Sequence, residues 1–421
     1  MNVRVLDVWC FGQVAGHLKD DGATLRFAYT PEWAAAGRPV LSQSLALDGT
    51  FEPGAVHAFF EGLLPEGGLR DLLAARLGIS AGNEFSILEQ IGGDCAGAIS
   101  LYPSGHAPLP ADGGVTWLSD PEVADLVHEL PRRPMNADPD GELRLSLAGA
   151  QDKLPVVVQD GAIGLPRRGR PSTHILKTPI ARLPATVLNE GLWSAVGTRL
   201  GIDCAASRPH RVAGAEMLLV ERYDRSVGED LETVRLHQED FCQALGIDSH
   251  HKYQREQGPG LRECFALLRR ASRTPAKEIP MLLDAWALSF IAANHDAHGK
   301  NYSLLYRPDG TGLAPIYDVL NTAAYWKVKP MDRKMAMSVG GEDRPDYVRR
   351  RHLEQMFRDA GLGSATARRR LRRLARDAPD AVADARAQLV REHWDDEHLD
   401  KIVAMSRNRA ERLLRSIDES P

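Results

Sequence analysis

The sequence predicts an α+β fold in two lobes, a β-rich N-terminal part followed by a mainly α-helical C-terminal part. Three features predict it. Residues 1 to about 105 and 143 to 225 carry short β-branched or alternating apolar runs bounded by Gly, Pro and Asp, which is the pattern of strands. Beyond Asp240 the apolar residues recur every three or four positions, which is the helical period. The length of 421 residues exceeds what one hydrophobic core usually serves, so two or three domains are expected.

Strands are expected first at Val3 to Val8, then at Thr24-Leu-Arg-Phe-Ala-Tyr29 after an Asp-Asp-Gly turn, then at Ala98-Ile-Ser-Leu-Tyr102. Helices fall between them at Ala55 to Leu64 and Leu69 to Leu77, with Gly78 as the stop. From Gly105 to about Asp140 the chain is rich in Pro, Gly and Asp and reads as a connector around one short helix, Asp120 to Leu130. Strands resume at Leu143 to Leu147, Leu154 to Val158, Thr173 to Lys177 and Glu216 to Val220. A helix from Pro184 to Leu200 carries a stripe of Leu188, Leu192, Val196 and Leu200. The resulting domain reading is 1–140, 141–225 and 226–421.

Bulk properties narrow the function classes. There are 52 Lys+Arg against 57 Asp+Glu, a net charge of -5, so no basic excess points to nucleic acid as the main ligand. The five cysteines are scattered and never spaced as C-x-x-C, which argues against a disulfide framework or a zinc site. No apolar run approaches a membrane span. The expectation is a cytoplasmic protein with reduced thiols and no membrane partner.

The densest polar segment is Asn294-His-Asp-Ala-His-Gly-Lys-Asn301, which stops an apolar helix containing Trp286, Leu288, Phe290 and Ile291. So many hydrogen-bonding side chains beside a core are costly unless they converge on a ligand. Asp296 precedes Asn301 by five residues, the interval between the base and the metal-binding Asn of protein kinase catalytic loops. A strand, a turn at Arg307-Pro-Asp-Gly310 and a second strand ending at Pro315-Ile-Tyr-Asp318 are expected to return Asp318 to the same loop. Phosphoryl transfer needs an acceptor for the attacking hydroxyl's proton and hard oxygen ligands for magnesium. Asp296 suits the first role, and Asn301 and Asp318 the second. His298 could contact a phosphate or Asp296, or simply structure the loop, and Lys300 could reach the attacking hydroxyl region or the phosphates, or be a solvated side chain.

Other segments take supporting roles. Lys177 ends a strand and precedes a helix containing Glu190, an order that matches the strand lysine and helix glutamate of kinases. Leu147-Ala-Gly-Ala-Gln-Asp-Lys153 is small and flexible enough to lie over phosphates, with Lys153 at its end. Val220-Glu-Arg-Tyr-Asp224 joins the two halves where an adenine-binding hinge would be.

Taken together, these segments resemble the HipA family of bacterial toxin serine/threonine kinases. The matching blocks are Ser146-Leu-Ala-Gly-Ala-Gln-Asp-Lys153, Thr173-His-Ile-Leu-Lys-Thr-Pro179, Asn189-Glu190, Glu221-Arg-Tyr-Asp-Arg225 and His237-Gln-Glu-Asp-Phe-Cys-Gln243. Lys252-Tyr253 with Gly258-Pro-Gly260, the loop from Asp296 to Asn301 and Pro315-Ile-Tyr-Asp318 complete the C-terminal set. Leu63-Leu-Pro65 and Ile91-Gly-Gly-Asp-Cys-Ala-Gly-Ala98 match that family's N-terminal subdomain.

The resemblance implies a bilobal protein-kinase-like fold and an ATP- and Mg2+-dependent kinase acting on serine in a protein. It implies Asp296 as base, Lys177 on the phosphates, and Asn301 and Asp318 on magnesium. Glu221, Tyr223 and Gln238 would line the nucleoside site, and Ser146 would be the autophosphorylated, self-inactivating serine. It further implies a substrate such as an aminoacyl-tRNA synthetase, growth arrest, and a helix-turn-helix antitoxin (HipB-like) through which DNA is reached. The chain departs from kinase patterns at Asn294, at Asp152 and at Tyr317-Asp318-Val319.

Two other readings stay open from the residues alone. One is a non-catalytic corepressor whose clusters Arg349-Arg-Arg351 and Arg368-Arg-Arg-Leu-Arg-Arg373 meet DNA phosphates. The other is a small-molecule or lipid kinase using the same loop.

Overall fold

A computed structural model describes residues 3–22, 24–108, 114–132, 146–149, 151–167, 169–227, 233–326 and 333–419. The chain divides into two compact units. The first comprises Met1–Thr178, His210–Ser249 and Leu305–Pro308, and the second Pro179–Pro209, His250–Leu304 and Asp309–Pro421.

The first unit opens with an antiparallel sheet whose strand order is Leu25–Tyr29, Gln13–Asp20, Arg4–Cys10, Ile99–Pro103. Alternation in Leu6, Val8 and Cys10 turns these side chains to one face. There they pack with Phe59, Phe60, Phe85 and Leu88 from the helices Pro53–Glu61 and Glu84–Ile91. Each such aromatic, fully buried, contributes about 1.5–3 kcal/mol of hydrophobic stabilisation. The helix Gly67–Leu77 ends as expected, with Gly78 at φ 67 in the left-handed region that glycine tolerates.

A six-stranded sheet follows, ordered Val115–Trp117, Ala162–Pro166, Lys153–Gln159, His174–Lys177, Ala215–Glu221, Ser207–Val212. The helix Asp120–Glu129 seats Val123, Ala124 and Val127 against Leu154, Val156, Leu176 and Met217 of this sheet. Of the strand expected at Leu143 to Leu147, residues 143–145 lie outside the described residues, and Ser146 and Leu147 are not in a strand.

The second unit is mainly helical. Its long helix Ser364–Arg391 packs against Glu397–Asp418, Thr186–Arg199 and Pro275–Ala292. From Leu282 to Ala292 every residue of Pro275–Ala292 is buried, as expected of a helix that is apolar on all sides. It stops at Ala293, whose φ of 54 turns the chain out of the helix. The hairpin is Ser303–Arg307 and Gly310–Leu313, so its second strand ends five residues before Asp318 and not at it. Pro315 lacks an N–H to continue the ladder. Ile316 pairs instead with Cys204, and Asp318 sits at φ 58. No helix among the described residues is long and apolar enough to cross a membrane.

Candidate active site

In the second unit, the loop after Pro275–Ala292 is held from several sides. The Asn294 side chain accepts the Asp296 backbone N–H at 3.1 Å and donates to the Asp318 backbone carbonyl at 3.3 Å. One residue, substituted relative to the kinase pattern, therefore ties the expected base to the expected metal-binding segment. Thr322 reinforces the tie: its hydroxyl accepts the His295 N–H at 2.9 Å and donates to the Ala293 carbonyl at 3.3 Å. Asn189, fully buried on the helix Thr186–Arg199, donates to the Asn321 carbonyl and the Tyr325 hydroxyl and accepts the Asn321 N–H. The segment just past Asp318 is thereby pinned to a core helix.

Asp296 itself accepts a hydrogen bond from the Tyr253 hydroxyl at 2.6 Å. Its carbonyl accepts the His298 N–H at 2.9 Å. The His298 N–H also reaches the Asn301 side-chain oxygen at 3.0 Å, which closes a single turn over Gly299–Asn301. Tyr317 donates to the Lys300 carbonyl and shares a hydrogen bond with Ser303. His295 is buried against the Trp326 ring, and burial, aided by Arg409, lowers its pKa to about 4, so it stays neutral. Asp318 is one of the few non-glycine residues at positive φ, and such outliers cluster at functional sites.

Asn301 and Asp318 supply hard oxygen donors. Magnesium usually takes only one or two protein carboxylates, completing its shell with water and phosphate, so this donor set fits the ion. Among the described residues, no group of three or more His, Cys, Asp or Glu side chains is arranged to hold a metal.

In the first unit, Lys177 is buried and lies directly opposite Lys153 in the antiparallel ladder. Side chains at opposed positions share one sheet face, so the two lysines belong to the same side of the sheet. The Lys153 ammonium donates to the Ala148 carbonyl, folding the 146–149 segment over the lysine. Gly149 is required there: its φ is +110, and a Cβ would sit 2.7 Å from the Lys153 Nζ. Ala150, within the expected phosphate loop, lies outside the described residues. Tyr223 donates to the Gln238 side chain, so two of the three expected nucleoside residues touch, and Glu221 is exposed at a strand end.

Ser146 is sealed in this conformation. It is 0% exposed, donates to the Leu63 carbonyl at 2.7 Å and gives its N–H to the Asp94 carbonyl.

Several motif residues turn out to build the scaffold. Arg222 and Asp224, read as part of a hinge, are buried in an ion network with Asp94, Arg225 and Arg235. The basic clusters are largely matched by acids: Arg349 with Glu419, Arg350 and Arg368 with Glu354, Arg370 with Asp284, Arg372 with Asp418 and Arg373 with Asp377. That pairing weakens the DNA-contact reading. Sequence reasoning passed over Tyr253, Asn189 and Thr322 as site residues. Asn189 had a signal, an amide beside the apolar stripe of its helix, and Tyr253 stood inside a quoted motif.

Comparison with known proteins shows the family to which the chain belongs. The profile of the HipA-like C-terminal domain matches residues 145–382, and that of the HipA N-terminal domain matches 6–102. The chain is 41% identical over 391 residues to "Putative kinase Y4mE" of Sinorhizobium fredii, covering 91% of this chain and 92% of that protein. It is 32% identical over 384 residues to the "Serine/threonine-protein kinase toxin HipA" of Shewanella oneidensis, covering 88% and 86%. A solved complex of Shewanella oneidensis HipA, HipB and operator DNA contains a chain that superposes with a TM-score of 0.85 at 28% identity, covering 98% of both.

Proposed function

The chain belongs to the HipA family of serine/threonine kinase toxins, and from that premise we propose that it transfers the terminal phosphoryl group of ATP to serine in a protein substrate. The observation that carries the reading is the fixed setting of Asp296, with Asp318 tied to the same loop through Asn294. Asp296 accepts the proton of the attacking hydroxyl as that oxygen bonds to phosphorus and the bond to the ADP oxygen breaks. Lys177 and Lys153 hold phosphate oxygens, with His298 as a further phosphate contact. Tyr223, Gln238 and Glu221 hold the nucleoside. Asn301 and Asp318 hold magnesium, which when bound neutralises charge on the phosphates.

The partner is a helix-turn-helix antitoxin of the kind named in the solved HipA–HipB complex, with DNA reached through it. The substrate is a translation component such as an aminoacyl-tRNA synthetase, and its modification arrests growth. Ser146 is the self-inactivation site. A phosphate adds nearly two charges to a hydroxyl that the fold buries against a backbone carbonyl, so the modified segment cannot return to its place.

Incubating the purified chain with magnesium-ATP and mapping phosphopeptides by mass spectrometry tests this. Phosphate on Ser146, absent from a Ser146→Ala chain and accompanied by falling activity, is the expected outcome. A chain fully modified at Ser146 that keeps its initial rate would refute self-inactivation.

A further inference from the structure

The segment 251–260 is built with unusual tightness. The Tyr253 carbonyl accepts N–H groups from Glu256 and Gly258. A Cβ at Gly258 would lie 2.1 Å from the His251 carbonyl oxygen, and one at Gly260 would lie 2.5 Å from the Gln254 amide. Only glycine fits at 258, where the close atoms are backbone, and at 260 the Gln254 side chain would have to shift. Gln254 is anchored in turn, accepting the Ser338 N–H at 2.6 Å and donating its own N–H to Ala336. The product of this construction is one projecting side chain, Tyr253. Its ring meets the His298 ring edge-on at 5.2 Å, with the Arg255 guanidinium 5.1 Å from its centre. Its hydroxyl ends on Oδ1 of Asp296.

We propose that Tyr253 is a positioning residue for the phosphoryl transfer, holding Asp296 by Oδ1 so that Oδ2 is presented to the acceptor hydroxyl. The proposal rests on Asp296 being the base. Among the described residues Oδ2 has no hydrogen-bond partner, while the backbone on both sides of the carboxylate is fixed by Asn294 and His298. The side-chain torsions are the remaining freedom, and a hydroxyl at 2.6 Å removes it. Burial, with Asp296 beside it, raises the Tyr253 pKa far above its ordinary value, so the phenol keeps its proton and remains a donor. The glycines and Gln254 thus serve the chemistry at one remove.

Phosphate incorporation from magnesium-ATP into the full chain, measured at saturating nucleotide, tests the proposal in Tyr253→Phe, Tyr253→Leu, Asp296→Asn and the Tyr253→Phe/Asp296→Asn double variant. Misplacing a catalytic group by an ångström costs about 100-fold, so the Phe variant is expected to lose about 10- to 100-fold in rate. Its affinity for magnesium-ATP and its thermal midpoint should be unchanged. Leu should lose no more than Phe, because the hydroxyl is the working group. The double variant should be no slower than Asp296→Asn alone. A Phe variant as fast as or faster than the wild type overturns the proposal, the faster rate meaning that the phenol blocks the acceptor. Additive losses in the double variant also overturn it. An Asp296→Asn chain with wild-type rate would instead remove the base assignment itself.

Discussion

Asp94 in the first unit and Asp296 in the second are both carboxylates set among motif residues, yet their neighbours differ in charge. Asp94 is 4% exposed and receives Ser172 at 2.8 Å, Arg225 at 2.9 Å and Arg235 at 3.0 Å, with Arg222 at 3.5 Å. Burial alone would raise its pKa, but Arg235, Arg225 and Arg222 outweigh burial and hold it well below the usual carboxylate range. Asp224 repeats the pattern with Arg222, Arg225 and the Gly97 N–H. Asp296 is half-buried and receives a neutral hydroxyl, and among the described residues its second carboxylate oxygen has no hydrogen-bond partner. A carboxylate saturated by guanidinium groups is spent on structure. The carboxylate proposed as the base is steadied by a neutral donor instead.

The contrast can be broken first at its charged side. Replacing Arg222 with Met leaves Asp94 and Asp224 buried with fewer cations, and losing one partner of a buried ion pair costs about 3–5 kcal/mol. Urea unfolding should show a loss of that size. A shift below about 1 kcal/mol, the range of exposed pairs, would mean that the network is not holding the fold.

Glu239 offers a smaller effect with a defined pH signature. It is fully buried, accepts the Tyr306 hydroxyl at 2.6 Å and the Gln43 N–H at 2.9 Å, and burial raises its pKa from 4.5 to about 7. The folded chain therefore holds this proton more tightly than the unfolded chain. Its contribution to stability is fully present below about pH 4.5 and is lost as pH rises through about 7. Glu239→Gln keeps the acceptor oxygen and abolishes the titration. At pH 8 it should be more stable than wild type by roughly 3 kcal/mol, with the difference vanishing near pH 4. Equal unfolding midpoints for the two chains across that interval would contradict the account.

Much of the fold was legible because periodicity is local. The stripe of Leu188, Leu192 and Val196 marked the helix Thr186–Arg199, and Gly78 marked a helix end. Strands interrupted by small or cyclic residues were not. Ala162–Pro166 contains Gly164, whose Cβ position would be 2.4 Å from Val115 and 2.9 Å from Trp117, so a close strand approach reads in sequence as a loop. Gln13–Asp20 carries Gly16 for a similar reason, with Phe27 and Ala28 at 2.5 Å. At the site, the interval from Asp296 to Asn301 was readable because it is short. The fate of Arg222 and Asp224 was not, since their burial depends on Asp94 and Cys95, far along the chain. The bond from Tyr253 to Asp296 likewise spans 43 residues that no local pattern connects.

The central claim concerns Asp296, and the most direct measurement is phosphate transfer from magnesium-ATP by wild type and Asp296→Asn at matched thermal midpoints. General-base residues contribute about 100- to 10,000-fold, so the variant should fall by at least about 100-fold while still binding nucleotide. An Asn variant that folds, binds magnesium-ATP and transfers phosphate at the wild-type rate would contradict the account.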